Sequence, residues 1–475
     1  MSNKEMSNKE KKKITSMKAP NPILILVAIV LFCAVATYIV PAGVFDRIAD
    51  PSTGRMIVDP SSFHYVEQNP VKLFDIFKSL TLGLQKSSDV IFFLFIIGGA
   101  FGIMDATGAI RSGMGNMVKK MAGKELFLIP VCMLIFGMGS CFAANYEEFL
   151  VFVPLIIPIC IAMGFDSLTA LGIVFGAAGA GYAGGCTNAF TVGVAQSISG
   201  LPMFSGIGLR FAAFVALLGV SIVYVMFRAI RVKKNPMSSA MYEIDRKRED
   251  AIDLSSVPAL TKRHILVLII FVGGIIGMVV GVLEFGFYID ELAALFLVVG
   301  ILAGVCGGLT PNQIVDEFLK GCNNLLFANM MIGLCSATTI IMTNANIMDT
   351  IINVLAQTLV GLPPMLTACA MFVVQDLINL LVPSGSGQAA ITMPIMAPLA
   401  DLIGVTRQTA VLAFQFGDSF TNVITPTGGT IMAALAMAKV PYSKWFKYLI
   451  PLFFLWWLVA FALLIYATIS GYGPF

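Results

Sequence analysis

The chain has 475 residues, of which 58% are hydrophobic and only 12% are charged, and its formal net charge is +3. A water-soluble core cannot absorb so much apolar sequence, so this composition excludes an ordinary soluble protein and predicts a polytopic membrane protein. We therefore expect the lipid bilayer as a partner and no nucleic acid.

Lys and Arg residues form three clusters between the apolar runs. They lie in "KEKKK" near the start, in "RSGMGNMVKKMAGK", and between Arg228 and His264. Because cytoplasmic loops of membrane proteins carry an excess of positive charge, all three are predicted to be cytoplasmic. This makes 1–20 a cytoplasmic tail and 232–263 a cytoplasmic linker. The nine cysteines show no CxxC pairs, so a packing role is favoured over disulfides or metal.

The first half, 21–231, begins with a helix at about 21–41, a loop of mixed charge and a returning helix at about 86–110. Two short apolar pieces follow, "LFLIPVCMLIFGMGS" and "FLVFVPLIIPICIAMG", separated by "CFAANYEE". They predict a re-entrant hairpin, which is tolerated only where its tip is buried in protein or lines a cavity. A Gly-rich span then carries a polar break at Cys186 to Thr191, and a further helix descends to the basic linker.

The second half, 264–475, has the same plan after an extra crossing at about 264–284. Two spans lead to a second pair of short apolar pieces, which are hinged on "PSGSGQ". A span interrupted by "DSFTNVITPTGGT" and a last apolar helix complete the chain.

Residue spacing supports an internal repeat. Glu148, Pro154, Pro158 and Gly164 match Gln388, Pro394, Pro398 and Gly404 at a constant offset of 240, and the Thr-Asn pairs at 187 and 421 match at 234. The extra crossing puts the second hairpin on the opposite face, so the halves are predicted to be inverted copies. The fold class is therefore an all-α polytopic membrane protein with inverted repeats, each with a re-entrant helical hairpin and a broken transmembrane helix. Such repeats indicate a secondary transporter with a site near the membrane midplane.

The polar interruptions of the two hairpins and two broken spans form one predicted site. A broken helix exposes backbone N–H and C=O groups that can bind polar solutes and ions. Acidic residues at membrane depth are costly and are functional candidates. The predicted substrate-binding residues are Asn145, Glu147, Glu148, Thr187, Asn188, Thr191, Ser384, Ser386, Gln388, Asp418, Thr421, Asn422, Thr425 and Thr427. A cation is predicted near Asn188, Asp418 and Asn422, and Asp376 is either a structural partner or a proton site.

The charge balance of this site is informative. Three acids lie in or beside it, and no Lys or Arg does. A dianionic substrate needs a cationic clamp, helix N-termini or co-bound cations. A cationic or zwitterionic amino acid is balanced directly by carboxylates.

Two long motifs carry a family resemblance. The segments from "ANYEEFLVFVPLIIPICIAMG" to "GGCTNAFTVGVAQ" and from "VPSGSGQAAITMPIMAPLADLIG" to "GDSFTNVITPTGGTIMAALAMAKV" resemble the YfcC-like branch of the DcuC-type anaerobic dicarboxylate carriers, within the ion transporter superfamily. The resemblance implies a homodimeric carrier of the bacterial inner membrane that works by an elevator-like motion. It also implies a carboxylate and Na⁺ site at Ser384, Ser386, Thr421 and Asn422. The acidic tip at Glu147 and Glu148 departs from the family pattern and favours a substrate with a positive group.

The sequence thus predicts a secondary active transporter of a small polar metabolite, with a basic amino acid as the leading substrate and a four-carbon dicarboxylate as the alternative. Coupling to Na⁺ or H⁺ is expected, and no cofactor. A channel would need a continuous polar pore. An enzyme would need a catalytic set, yet the two histidines, His64 and His264, lie in a loop and at a span edge. We expect neither.

Overall fold

The computed structural model describes residues 22–49, 56–59, 61–120, 123–248, 259–285, 287 and 289–473. The predicted tail at 1–20 and part of the predicted linker, 249–258, lie outside them. Within the described residues, seven helices are long and apolar enough to cross a membrane: Ser88–Ala106, Glu125–Phe142, Ser167–Gly184, Ile207–Lys234, Ile289–Gly307, Leu326–Asn344 and Tyr442–Ile469. The chain is therefore a predominantly helical, multi-pass membrane protein, as its composition predicts.

The described part of the first half contains ten α-helices before the predicted linker. They are α1 (Pro22–Ile39), α2 (Leu73–Lys86), α3 (Ser88–Ala106), α4 (Ala109–Lys120), α5 (Leu128–Ala143), α6 (Val153–Ala162), α7 (Ser167–Leu171), α8 (Ala177–Gly184), α9 (Val194–Ile198) and α10 (Ile207–Lys234). The amphipathic helix α2 lies between the predicted loop, which ends at Lys72, and the predicted helix at about 86–110.

The second half repeats several of these features after the short helix α11 (Tyr242–Asp245). Its helices are α12 (Lys262–Phe285), α13 (Ile289–Gly307), α14 (Pro311–Asn324), α15 (Leu326–Asn344), α16 (Met348–Gln357), α17 (Pro364–Asn379), α18 (Gly385–Ile403), α19 (Arg407–Asn422), α20 (Gly429–Met437) and α21 (Tyr442–Ile469).

The loop after α1 contains two small antiparallel strand pairs. Strand β1 (Gly43–Val44) pairs with β4 (His64–Tyr65), and β2 (Arg47–Ala49) pairs with β3 (Met56–Val58). Asp349 of α16 anchors this loop, since its carboxylate lies 2.9 Å from Arg47 Nη2 and accepts the backbone N–H of Phe45 at 3.0 Å. The loop is thereby attached to the second half of the chain.

Each half contains a helical hairpin followed by a broken helix. The first hairpin is α5, a 3-10 helix at Glu147–Phe152, and α6, and the second is α17 with α18. The first broken helix runs from α7 through α8 to α9, with π-helical turns at Gly172–Gly176 and Ala189–Gly193. The second is α19 with α20. The four interruptions thus occur where the sequence predicts them, whereas the inverted relation of the halves stays a prediction.

Small residues let the first broken helix pack closely against its neighbours. A Cβ at Gly181 would lie 2.2 Å from the backbone oxygen of Gly137 in α5, and a Cβ at Gly179 would lie 2.5 Å from Val423 Cγ2. Helices of membrane proteins associate through such small-residue surfaces. The Gly-rich run is therefore a packing surface, which brings the first broken helix against both the first hairpin and the second broken helix.

Candidate functional site

The second hairpin is held together by a ladder of side-chain amides. Gln388 Nε2 donates to Gln375 Oε1 at 2.7 Å, and Gln375 Nε2 donates to Thr392 Oγ1 at 3.0 Å. Asn379 Nδ2 bonds both Gln388 Oε1 and Asp418 Oδ1, each at 2.9 Å. Because buried polar groups are expensive unless they are paired, this ladder fixes the register of the two arms and ties the hairpin to the second broken helix.

The two arms of the first hairpin are held together by aromatic packing near its turn, not by side-chain amides. The ring of Phe136 in α5 lies 5.1 Å from that of Phe149 and 5.2 Å from that of Phe152. Helix α5 is followed by Ala144, whose φ of 62° is left-handed. The backbone N–H of Tyr146 then donates to Glu148 Oε2 at 3.0 Å. The turn that follows α5 is thus fixed in part by one of its own acids.

The break in the first broken helix is made by a glycine and capped by an asparagine. Helix α8 is followed by Gly185, whose φ of 49° is a conformation that suits glycine. Asn188 Oδ1 then accepts the N–H groups of Phe190 and Thr191 at 3.0 and 3.1 Å. Thr187 Oγ1 donates to the carbonyl of Phe142 at 2.6 Å, which connects this break to the first hairpin.

In the second broken helix, the carbonyls at the end of α19 have no partners within the helix but accept hydrogen bonds from side chains of other segments. Tyr146 Oη donates to the carbonyl of Asn422 at 3.0 Å. Trp445 Nε1 donates to that of Val423, and Tyr442 Oη donates to that of Ile424, both at 2.9 Å. These bonds offset much of the cost of breaking the helix. The uncapped start of α20, rather than these carbonyls, then offers unpaired backbone groups at this break.

A cavity of about 180 Å³ lies where the turns of both hairpins meet the second break. It is lined by Ala144, Asn145, Tyr146, Glu147 and Glu148 from the first hairpin, by Pro383, Ser384, Gly385 and Ser386 from the second, by Asn422, Gly428, Gly429, Thr430 and Ile431 from the second broken helix, and by Tyr182, Phe190 and Phe287. Two lining side chains are acidic, and none of these described residues is Lys or Arg.

Two helices begin at this cavity without a side-chain cap. Helix α18 starts after Ser384, whose hydroxyl bonds no N–H group of that helix. Helix α20 starts after Gly428, which has no side chain to act as a cap. The first N–H groups of a helix lack intrahelical partners and carry positive partial charge. One part of the wall therefore favours anionic groups, while Glu147 and Glu148 favour cationic ones.

Asp418 lies beside the cavity and is fully buried. Its Oδ1 accepts from Asn379 at 2.9 Å and from Asn422 at 3.1 Å, while Oδ2 has no hydrogen-bond partner among the described residues. Thr191 Oγ1 is likewise buried and unpartnered there. Both side chains approach Gly385, because a Cβ on that glycine would lie 2.3 Å from Thr191 Cγ2 and 2.9 Å from Asp418 Oδ2. The turn of the second hairpin and both broken helices thus come together at Gly385.

The structure places the predicted residues in two groups. Six line the cavity: Asn145, Glu147, Glu148, Ser384, Ser386 and Asn422. Eight lie outside its lining: Thr187, Asn188, Thr191, Gln388, Asp418, Thr421, Thr425 and Thr427. Of this second group, Thr421 donates its hydroxyl to the carboxylate of Asp376, and the hydroxyls of Thr425 and Thr427 are 2.7 Å apart. Their roles in binding stay predictions, and for most of the second group the observed partners are structural.

Sequence reasoning assigned no role to the two tyrosines that line the cavity. Tyr146 lies within the "ANYEE" segment of the first hairpin but received no role, and Tyr182 lies in the Gly-rich span just before its predicted break at Cys186 to Thr191. Their rings are 5.7 Å apart, and Tyr146 bridges the first hairpin and the second broken helix. Only the position of Tyr146 between two acids and an asparagine gave a signal in the sequence. Within the described part of the chain, no group of three or more His, Cys, Asp or Glu side chains is arranged to hold a metal ion.

Comparisons with known proteins cover nearly the whole chain. Residues 19–469 match the family model DcuC, described as C4-dicarboxylate anaerobic carrier. A relative from Escherichia coli (strain K12), named "Putative basic amino acid antiporter YfcC", is 33% identical over 95% of this chain and 97% of its own length. An uncharacterized protein of Haemophilus influenzae (strain ATCC 51907 / DSM 11121 / KW20 / Rd) is 27% identical over 93% of this chain and 95% of its own.

Two solved transporter structures also match. YdaH of Alcanivorax borkumensis has a TM-score of 0.44 and 16% identity, covering 96% of this chain and all of its own. MtrF of Neisseria gonorrhoeae has a TM-score of 0.41 and 17% identity, covering 95% of each chain. The family match and the E. coli relative span the hairpins, both breaks and the cavity. This chain belongs to the DcuC family of C4-dicarboxylate anaerobic carriers, a family of membrane transporters.

Proposed function

We propose that this chain is a secondary active transporter that moves a basic amino acid across the cytoplasmic membrane, by exchange or cation-coupled uptake, with elevator-like alternating access. The observation that carries the proposal is the composition of the cavity wall. Glu147 and Glu148 lie on one hairpin turn, and two uncapped helix N-termini begin on other segments of the same cavity.

The two acids favour a substrate with a positive group. Glu148 is 6% exposed, and Glu147 is half-buried. A carboxylate removed from water is strongly destabilised unless a cation or hydrogen-bond donors compensate it. No Lys or Arg does so in the described lining, so the guanidinium or ammonium group of a substrate supplies the missing charge. A dicarboxylate adds two negative charges to a wall that already carries acids.

The uncapped N-termini account for the other end of such a substrate. The N–H groups at the start of α18 and α20 attract a carboxylate, and Ser384 and Thr430 offer hydroxyls at the same two places. A basic amino acid has its carboxylate and its cationic side-chain group at opposite ends. The wall thus matches both ends of one molecule. The name of the E. coli relative, a basic amino acid antiporter, supports the same substrate class.

A four-carbon dicarboxylate is the second candidate. The family description names this substrate class, and the same two helix N-termini suit its carboxylates. For this candidate to hold, co-bound cations must neutralise Glu147 and Glu148.

Coupling to Na⁺ or H⁺ is proposed at Asp418. Its Oδ2 and Thr191 Oγ1 are buried oxygen atoms without partners among the described residues, and both approach Gly385 at the hairpin turn. A cation or proton on this carboxylate would neutralise a charge that is otherwise costly at this depth. Asn188 and Asn422 complete the predicted cation site from the two breaks.

Counterflow in liposomes tests the substrate. Purified protein is reconstituted with internal unlabelled arginine, ornithine, lysine, succinate or fumarate, and uptake of labelled arginine or labelled succinate is followed with and without Na⁺ and a pH gradient. The proposal expects saturable arginine uptake that is driven only by basic amino acids inside. Succinate counterflow without arginine counterflow contradicts it and favours the second candidate. Unsaturable flux indicates a channel.

The acids are tested by the double variant Glu147→Gln, Glu148→Gln. Loss of a charged hydrogen bond costs about 1.5–3 kcal/mol, so the half-saturation concentration for arginine should rise at least about tenfold. Glu317→Gln is the control, because that half-buried residue pairs with Lys320 within α14 and does not line the cavity. Wild-type arginine affinity in the double variant contradicts the assigned role of the acids.

A further inference from the structure

A second cavity lies behind the turn of the second hairpin. Its volume is about 250 Å³. It is bounded by the junction of α2 and α3, by α15, by the hairpin turn and by the start of α20, and it shares Pro383, Ser384, Gly429 and Thr430 with the first cavity. The two cavities are therefore neighbours that meet at the uncapped N-termini of α18 and α20.

The walls of the second cavity differ in charge from those of the first. Its described lining includes one basic side chain, Lys86, and no acid. Hydroxyl groups make up much of the remaining wall, and Ser87 and Ser336 bond each other at 2.5 Å. The acidic and basic walls thus lie on the two sides of the residues that both cavities share.

The ammonium group of Lys86 has no hydrogen bond or ion pair with any described residue. The hydroxyls of Ser384 and Thr430, which both cavities share, also have no bonding partner in the described part of the chain. An ammonium group on a cavity wall with two unpaired hydroxyls and two helix N-termini nearby forms a site for an anionic oxygen group. A carboxylate fits this chemistry.

We propose that Lys86 binds the carboxylate of the transported amino acid, together with Ser384 and Thr430, and thereby sets specificity for substrates that retain this group. The inference rests on the proposed basic amino acid function and adds a subsite to it. The cationic end then faces Glu147 and Glu148 in the first cavity, while the carboxylate end faces the second.

Lys86 lies on a different part of the fold from Glu147 and Glu148, which belong to the first hairpin. It is the last residue of α2, which packs so closely on α15 that a Cβ at Gly83 would lie 2.2 Å from the backbone oxygen of Gly333. The hairpins and broken helices carry the remaining site residues. Contact between Lys86 and the substrate therefore depends on the second hairpin lying against α2 and α15, so Lys86 recognises the substrate in this arrangement of the transporter.

Arginine and agmatine provide the test, because agmatine keeps the guanidinium group but lacks the carboxylate. Dissociation constants are measured on the full-length purified protein by ligand-dependent thermal stabilisation. Wild-type protein should bind arginine at least about tenfold more tightly than agmatine, as expected for one charge-assisted contact. In Lys86→Gln, arginine affinity should fall by about the same factor and agmatine affinity should not change.

Two further variants sharpen the result. Lys86→Arg keeps the charge and should retain most of the preference for arginine. Lys78→Gln removes the same charge from α2, two turns earlier and outside the second cavity, and should bind both ligands as the wild type does. If Lys86→Gln does not fold, the wild-type comparison decides: equal affinity for arginine, agmatine and argininamide overturns the proposal.

The outcomes separate this inference from the function on which it rests. Arginine binding with an unchanged arginine preference in Lys86→Gln overturns the role of Lys86 and leaves the transport proposal in place. Equal weakening of arginine and agmatine also overturns it, because a carboxylate contact acts on arginine alone. Binding of succinate with no binding of arginine contradicts the function itself.

Discussion

Gly385 is the position where the geometry of the site is most sensitive to a single added atom. A methyl group there would lie 2.3 Å from Thr191 Cγ2, 2.9 Å from Asp418 Oδ2 and 3.2 Å from Tyr182 Oη. Ordinary van der Waals contact begins near 3.4 Å, so Gly385→Ala requires the hairpin turn to move roughly 1 Å from the first broken helix. Thr191 is fully buried and β-branched, so its side chain cannot turn aside at low cost.

Overpacking of this kind costs about 1–3 kcal/mol. If the strain falls on this arrangement of the hairpin, it weakens substrate binding by about 5- to 150-fold. The assay compares arginine affinity and counterflow for Gly385→Ala and for the control Gly219→Ala. The added methyl at 219 meets nothing within 4 Å. If correctly folded Gly385→Ala binds arginine as tightly as the wild type, the close approach of the second hairpin to both broken helices at this glycine is refuted.

Two further predictions concern packing and the bridge between the halves. Gly181→Ala forces a methyl group to 2.2 Å from a backbone oxygen of Gly137 and should destabilise the protein by about 1–3 kcal/mol, whereas Gly219→Ala meets nothing within 4 Å and should leave thermal stability in detergent equal or higher. Equal melting of the two variants contradicts the close approach of α5 and α8. Tyr146→Phe removes the bond to the carbonyl of Asn422 and should cost about 1–3 kcal/mol of stability, measured by the same melting assay, with slower counterflow. Unchanged melting and transport in this variant would mean that the bridge contributes nothing.

The positions of the interruptions were predictable because they follow from local chemistry. Glycine at 185 permits a left-handed backbone, and Asn188 offers an oxygen that caps the next turn, so the first break is determined within a few residues. The second break lies at Val423–Gly428, where Pro426 and Gly428 do not favour a continuous helix. The same reasoning placed the two hairpin turns.

The partners of the predicted site residues were not predictable in the same way. Gln388 resembles a ligand in the sequence, yet its amide belongs to the ladder inside the second hairpin. Thr421 has the same hydroxyl as a substrate-binding threonine, but it bonds Asp376. Sequence pattern identifies a polar group at membrane depth, whereas the three-dimensional packing decides whether that group faces a cavity or another side chain.

The sequence by itself determined the membrane class, the helical fold, the two hairpins and the two breaks, because hydropathy, charge and helix-breaking residues act over short stretches of chain. Only the tertiary structure decided that Tyr146 reaches Asn422, 276 residues away, and that Lys86 lines a cavity adjoining the acids. Such contacts depend on how closely whole helices approach one another. The close approach at Gly181 and the burial of Asp418 are properties of the packed molecule.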